Sequence, residues 1–269
     1  MELERRPGLV ISPGGIGEVL DLGFNLARRN FRLLVGIALW GLVPGSVLSA
    51  VATVAGATGS EPSAGVVVAL IGTLIAALIT ILAEAAACVA CGRLIEGGAS
   101  SDDLSATSLY GAAFERFRWL LLWGLIITIV GVPLVIIAPL GVFVGVRWSV
   151  SWTALLLEGR GPIESLRRSW GLTRGSWWHT AMVLLTTSLI IGAISWALLA
   201  VVGGVGVALG ALVGSDVITA LVSALVGIVS GVITTPFTAA LAVVLYYELR
   251  ARAEGFDLEL RARQVTPSA

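Results

Sequence analysis

Two cysteines three residues apart, Cys88 and Cys91, a single histidine, His179, and a sparse set of carboxylates are the residues whose types permit chemistry. A C-x-x-C pair suits thiol exchange only where nearby charge or a helix N-terminus lowers a thiol pKa, usually in an αβ setting. Cys88-Val-Ala-Cys91 has neither and sits inside an apolar run, so it reads as two small residues packing a helix. Zinc needs more ligands than one histidine can add. A Ser-His-Asp hydrolase would need Asp216 near His179, and the predicted topology sends Asp216 to the opposite side. The sequence has no nucleophile elbow, P-loop or dinucleotide fingerprint. The expectation is a chain that is not an enzyme and carries no cofactor or metal.

The remaining polar residues with a chemical question attached are Glu84 and Arg147. Arg147 interrupts GVFVGVRWSVSWTALLLEG, 11 residues before Glu158. That is about 16 Å along a helix, too far for the side chain to reach the membrane edge comfortably. Glu84 lies nine residues before Arg93, at a comparable depth. An unpaired arginine at mid-bilayer costs about 2.5–3.5 kcal/mol, so the sequence predicts a Glu84 to Arg147 pair facing the bundle interior. Such a pair serves either as a static ion pair that fixes helix order or as part of a polar route for an ion or substrate.

The elements that must position these residues are dictated by composition. Of the 269 residues, 57% are hydrophobic and 13% charged, and mean hydropathy is +0.97, which describes a polytopic membrane protein and not a soluble core. The 17 basic residues, all arginine, balance 17 acidic ones, so no global field recruits nucleic acid. MELERRPGLVISPGG contains no apolar stretch before a cleavage site, and the first span is expected to direct insertion itself.

Six spans are predicted over 33–56, 65–92, 119–137, 140–158, 178–202 and 219–246. The chain then divides into a 1–32 cytoplasmic or interfacial segment, a 33–246 bundle and a 247–269 cytoplasmic tail, all in one membrane domain of residues 1–269. Parity supports six. The arginines then fall in the N-terminal segment, the second loop, the fourth loop and the tail, while the opposite side receives none. By the positive-inside rule both termini are cytoplasmic in a multi-pass protein of the cell membrane. A five-span arrangement would split these groups across the bilayer.

Three segments preceding odd-numbered spans look alike. GEVLDLGFNLARRNFRLL and PIESLRRSWGLTRGSWWH align without gaps, matching Glu18 to Glu164, Leu20 to Leu166, Phe24 to Trp170, Leu26 to Leu172, Arg28 to Arg174 and Phe31 to Trp177. SATSLYGAAFERFRWLLLW shares mainly its Phe117-Arg118 entry with Phe31-Arg32. Each reads as a short amphipathic interfacial helix ahead of spans 1, 3 and 5, with Pro162 at a helix start, Glu164 in its first turn and Gly171 or Gly175 at its end. Ile163, Leu166 and Trp170 line one face. Arg28, Arg29, Arg32, Arg167, Arg168 and Arg174, with Trp170, Trp177 and Trp178, are the expected contacts for lipid or a partner at the cytoplasmic face. The same features also serve the simpler purpose of orienting the hairpins. Gly206, Gly210 and Gly214, and Ser223, Gly227 and Gly231, recur every four residues and allow close helix approach, while Pro133 and Pro236 can bend spans 3 and 6.

LDLGFNLARRNFRLL, LLLEGRGPIESLRRSWGLTRGSWW and LYYELRARAEGFDLEL together resemble a prokaryotic family known as the membrane domain of glycerophosphoryl diester phosphodiesterases. The likeness is most specific at Glu158-Gly159, Arg167-Arg168-Ser169-Trp170, Gly175 and the Tyr246 to Leu260 tail with Glu254-Gly255-Phe256-Asp257-Leu258. The resemblance implies a six-helix module of the cytoplasmic membrane, often without an attached enzyme, and no catalytic domain is expected after the sixth span. Two function classes are open. One is a non-enzymatic scaffold or accessory module engaging membrane lipids, anionic ones included, or a membrane or cytoplasmic protein partner. The other is a transporter or lipid-moving protein that uses the interior around Glu84 and Arg147.

Overall fold

A computed structural model describes residues 13–58, 62–96, 104–136, 138–213 and 216–255. The expectations that rest on Arg5, Arg6, Gly214, Arg261 and Arg263 lie outside the described residues. The regular structure among the described residues is helical: α1 (Ile16–Arg29), α2 (Phe31–Thr58), α3 (Pro62–Ile95), α4 (Ala106–Glu115), α5 (Phe117–Ile136), α6 (Ala138–Trp148), α7 (Ser151–Glu158), α8 (Pro162–Leu172), α9 (Trp177–Leu198), α10 (Gly204–Val213) and α11 (Asp216–Glu254). A π-helical turn, Leu199–Gly203, joins α9 to α10.

Five stretches are long and apolar enough to cross a membrane: Phe31–Ala55, Val66–Ile95, Pro139–Glu158, Trp177–Gly206 and Ala224–Glu254. The predicted third span falls on α5, a 20-residue helix in which the stretch Phe117–Gly131 is apolar but shorter than these five. The predicted fourth span is interrupted. Trp148 ends α6, Ser149 and Val150 form a turn, and α7 resumes at Ser151.

The three segments ahead of odd-numbered spans do form separate helices, α1, α4 and α8, with a break between each and its successor in the chain. Asn30 and Arg116 provide single-residue breaks after α1 and α4, and Thr173 to Ser176 turn the chain after α8. The Glu18 carboxylate accepts from the Gly15 backbone N–H at 3.0 Å, closing the first turn of α1. Ser105 caps α4 by accepting from the Ser108 N–H at 3.3 Å.

The repeat visible in the sequence has a counterpart in packing. Phe24 and Phe31 both contact the ring of Phe237 of α11, at ring separations of 5.2 and 6.2 Å. Their aligned equivalents, Trp170 and Trp177, both contact the ring of Phe143 of α6, edge-on at 6.0 Å and stacked at 5.8 Å. In each copy, two aromatics seven positions apart contact one phenylalanine of another helix.

The protein core is concentrated at one end of the helices. Ala85, Ala86, Ala87, Ala90 and Cys91 of α3, Leu155 and Leu156 of α7, Leu109 of α4 and Tyr246 of α11 are all buried in it. Farther along, α3 and α9 present Val66, Leu70, Leu74, Leu185, Leu189 and Trp196 outward. A helix apolar on every side, yet buried by protein on only one, is suited to lipid and not to water.

Alanine and glycine set how closely the helices approach. A Cβ at Gly41 of α2 would overlap Ala83 of α3 and lie 3.3 Å from the Ile79 carbonyl oxygen. Beside it, the Tyr110 hydroxyl of α4 donates to the Ile37 carbonyl at 2.7 Å, so α2, α3 and α4 meet there. Gly206 packs likewise against Val222, and Gly231 against Leu42. Gly41→Ala is expected to lower stability by about 1–3 kcal/mol through overpacking. Gly36→Ala, in the same helix with nothing within 4 Å of its added carbon, should leave stability unchanged or raise it. Thermal unfolding in detergent compares the two, and equal midpoints would refute the close-packed junction.

Candidate functional site

The arginine-rich end of the helices carries the densest polar chemistry, organised around the α7 to α8 turn. α7 ends at Gly159, whose φ of 66° puts it in the left-handed region that glycine adopts without penalty. Its open last turn is satisfied from outside, because the Arg116 guanidinium donates to the Leu156 carbonyl. Pro162 then starts α8, where its missing N–H costs nothing. One side of α8 is small and buried, with Ser165, Leu166, Ser169 and Leu172 turned to the protein. That face lets α8 lie close to its neighbours, and the Ser169 hydroxyl donates to the Arg147 carbonyl at 2.7 Å.

Glu158, the last residue of α7, gathers the surrounding donors. It accepts from the Tyr246 hydroxyl of α11, from Arg160 of the turn and, at 3.1 Å, from Nε of Arg168 of α8. Arg250 of α11 stands 3.9 Å away. Arg168 also forks onto Glu254, with Nη2 to Oε2 at 2.9 Å and Nη1 bonded to Oε1. Arg250 meets the same carboxylate at 3.4 Å. A planar guanidinium can serve two carboxylates at once, which a lysine ammonium cannot do with comparable geometry. The Glu254 carboxylate, with Glu158 beside it, holds Arg168 charged more firmly than an ordinary arginine despite partial burial.

Two satellite contacts extend the cluster. The Tyr247 hydroxyl donates to Glu96 of α3 at 2.7 Å. Fully buried Glu248 accepts from Arg252 and lies 3.3 Å from Nε2 of His179 at the start of α9. Arg252 also donates to the Gly14 carbonyl ahead of α1. The last turns of α11 are therefore tied to α3, α7, α8, α9 and the approach to α1.

The predicted site residues divide into three groups. Arg168 enters the Glu158 cluster. Arg28, Arg29, Arg32, Arg167, Arg174 and Trp178 are exposed, Trp170 is 40% exposed, and Trp177 is half-buried with its indole N–H donating to the Phe143 carbonyl at 3.3 Å. Glu84 and Arg147 are not brought together by any ion pair or hydrogen bond among the described residues. Glu84 is exposed on α3. Arg147 instead lies over the rings of Phe143 and Trp170, at 5.3 and 5.2 Å, and its Nε and Nη1 are buried without a hydrogen-bond partner. The turn after Trp148 accounts for the difference, since a broken helix places Arg147 against α8 instead of projecting it along a straight span.

Sequence reasoning singles out neither Glu248 nor Glu96, and it counts Glu158 and Glu254 only as landmarks. A usable signal is present: Tyr246, Arg250 and Glu254, and separately Glu248 and Arg252, recur at four-residue spacing along one helix. Cys88 and Cys91 are free and buried.

Beside the cluster, an open cavity of about 320 Å³ is lined by Arg160, Glu164, Arg167, Arg168 and Gly171. Its three guanidinium groups, two of them shared with Glu158 and Glu254, outnumber the one carboxylate of the lining and can offer donors to an anion. Among the described residues no group of three or more histidine, cysteine or acidic side chains is arranged to hold a metal.

A double-mutant cycle measures the tie between α8 and α11. Arg168→Gln and Glu254→Gln, singly and combined, should show a coupling of about 1 kcal/mol in thermal unfolding, because side chains 20% and 35% exposed retain partial solvent screening. Additive losses would mean that the fork contributes nothing beyond its separate parts.

No curated protein and no solved structure matches the chain. A family profile described as Domain of unknown function (DUF7847) matches residues 104–249, from just before α4 to within α11. The match includes Glu158, Arg160, Arg168 and Tyr246 and stops short of Arg250 and Glu254. Because it covers more than half of the sequence, the chain belongs to this uncharacterised family, DUF7847.

Proposed function

We propose that the protein is a non-enzymatic integral membrane scaffold or accessory module that engages anionic lipid or a protein partner at the cytoplasmic face of the cell membrane. The observation that carries the reading is the outward stripe of α8 and the turn after it, where Ile163, Arg167, Trp170 and Arg174 are all exposed. A stripe that alternates apolar side chains with guanidinium groups suits the boundary between acyl chains and phosphates. Behind it, the Glu158 cluster fixes α8 to α7 and α11, giving a firm platform instead of a loose arm.

The finer topology belongs to the same proposal. Six crossings, with α5 as the third, keep the arginine-bearing connections on one side, and α1, α4 and α8 lie at that interface. Trp178 and Trp196 of α9, 71% and 73% exposed, stand 18 residues apart. That is about 27 Å along the axis, close to the spacing of the two aromatic belts of a bilayer. The likeness of Arg167-Arg168-Ser169-Trp170 and the α11 tail to the glycerophosphoryl diester phosphodiesterase membrane domain supports a membrane module of this type. The phosphodiesterase activity is not part of the reading.

In nanodiscs of phosphatidylcholine alone and of phosphatidylcholine doped with phosphatidylglycerol, the full chain is expected to unfold at higher temperature in the anionic lipid. A cysteine replacing Arg174 should react with an impermeant maleimide only after cells are opened. Equal midpoints together with labelling from outside would sink the proposal.

A second reading, a lipid-moving or transport protein, is favoured by one observation. The α6 to α7 break adjoins an arginine with two buried, unpartnered nitrogens, and interrupted helices with polar groups at their breaks recur in transporters. It requires proteoliposomes to scramble a fluorescent lipid at a rate that Arg147→Gln abolishes. An absence of scrambling by the wild-type chain removes this reading.

A further inference from the structure

The cavity at the α7 to α8 turn has properties beyond general attraction to a charged surface. Its walls combine the turn residue Arg160 with Glu164, Arg167, Arg168 and Gly171, which are spaced to share one side of α8. The three arginines differ in how far they are already committed. Arg168 is held by Glu158 and Glu254 and serves as a fixed wall. Arg160 bonds Glu158 through Nε, and its side chain is 45% exposed. Arg167 is exposed and makes no ion pair among the described residues. A guanidinium has five N–H donors, so Arg160 and Arg167 can offer paired donors to the oxygens of one phosphate.

Glu164 selects for a headgroup that carries a hydrogen-bond donor. It also makes no ion pair among the described residues, so a second anion beside it meets one repelling carboxylate as well as the attracting guanidinium groups. A phosphodiester carries one negative charge and a phosphomonoester up to two, so the monoester gains more from the guanidinium groups as well as losing more to Glu164, and charge alone does not choose between them. A headgroup hydroxyl or ammonium can donate to the Glu164 carboxylate, completing the contacts of a diester with a donor-bearing headgroup.

The apolar half of the ligand is indicated by neighbours on the same stripe. Ile163, 60% exposed, and Trp170, 40% exposed, lie one helical turn to either side of Arg167. We infer that this cavity binds the phosphodiester of an anionic phospholipid, with Arg160 and Arg167 on the phosphate, Glu164 on a headgroup donor, and Ile163 and Trp170 against the first acyl carbons. The inference rests on the lipid-engaging function proposed for the chain and narrows it to one site and one headgroup class.

Native mass spectrometry of the full chain, delipidated in mild detergent and titrated with phosphatidylglycerol, phosphatidylcholine or phosphatidic acid, tests it. The wild type should retain phosphatidylglycerol in preference to the other two. Arg160→Gln and Arg167→Gln should each weaken that retention about tenfold, the size expected for one lost charge-assisted bond. Glu164→Gln should narrow the preference over phosphatidic acid. Arg118→Gln, which removes an equal charge from the entry to α5, should change nothing, and unchanged unfolding midpoints exclude misfolding as the cause of any loss. Retention by both cavity variants at wild-type strength, or an equal loss with Arg118→Gln, overturns the site while leaving the broader lipid reading intact. Displacement of the lipid by inorganic phosphate alone overturns the lipid as the source of the phosphate. Failure of the wild type to prefer any anionic lipid overturns both readings together.

Discussion

A carboxylate at the C-terminal end of a helix is badly placed, because the helix dipole is negative there and partial burial removes water that would otherwise solvate it. Glu158 occupies such a position at the end of α7, and much of the neighbouring structure answers that problem. Donors converge on it from the turn, from α8 and from α11, through Arg160, Arg168 and Tyr246. Each donor ties a separate element to the same point. The left-handed Gly159 turns the chain back immediately, so that α8 returns close enough for Arg168 to reach the carboxylate ten residues before it. Without that return, the Glu158 charge would be buried against an unfavourable dipole with much weaker compensation.

The same economy shapes α11. Its membrane-suited portion is apolar, but its last turns carry Tyr246, Tyr247, Glu248, Arg250, Arg252 and Glu254 in quick succession. Successive members point to different neighbours: Tyr246 to Glu158, Tyr247 to Glu96, and Glu248 to His179. Polar bonds of this kind are directional, whereas apolar contacts in lipid are not, so the charged end specifies which helices are neighbours while the alanine and glycine faces specify how near they come. The aromatic pairs repeat that division. Phe24 with Phe31, and Trp170 with Trp177, each contact a single phenylalanine of another helix, and the preferred geometries of ring pairs favour one approach of α1 and α8 to the bundle.

The helical, membrane-suited character and the separate helices α1, α4 and α8 are legible in the sequence because they rest on composition and on local signals: uncharged runs, Pro162 at a start, and the aligned Glu18 and Glu164. The aromatic repeat is legible as a pattern, but its partners, Phe237 and Phe143, belong to distant helices that no local signal assigns. The cluster is only partly legible. Four-residue spacing on α11 marks a polar face, yet nothing local shows that Glu158 and Glu254 share Arg168, when Arg168 and Glu254 are 86 residues apart. The fourth predicted span reads as one helix because Trp148 to Leu157 carries no proline or glycine; its break at Ser149 and Val150 is imposed by packing and not by propensity.

That break is what makes Arg147 tolerable. In a straight helix its guanidinium would stand well away from Glu158 and need a carboxylate at its own depth, for which Glu84 is the candidate. The turn after Trp148 instead sets the end of α6 against α8, where the Ser169 hydroxyl takes up the Arg147 carbonyl freed by the interruption. The guanidinium then rests over the faces of Phe143 and Trp170. A cation over two rings gains about 0.5–2 kcal/mol per ring, more as water is excluded, which offsets part of the cost of burying Nε and Nη1 without acceptors, about 1–3 kcal/mol per unsatisfied group. Arginine suits this role because its planar, weakly hydrated guanidinium stacks on aromatic faces without requiring an acceptor for every N–H. Phe143 also contacts both Trp170 and Trp177, so one ring serves both the aromatic contacts and the buried charge. The arginine in the apolar run is thus bound into the docking of α8 through Trp170, on the helix that also carries the exposed stripe and lines the cavity at the α7 to α8 turn.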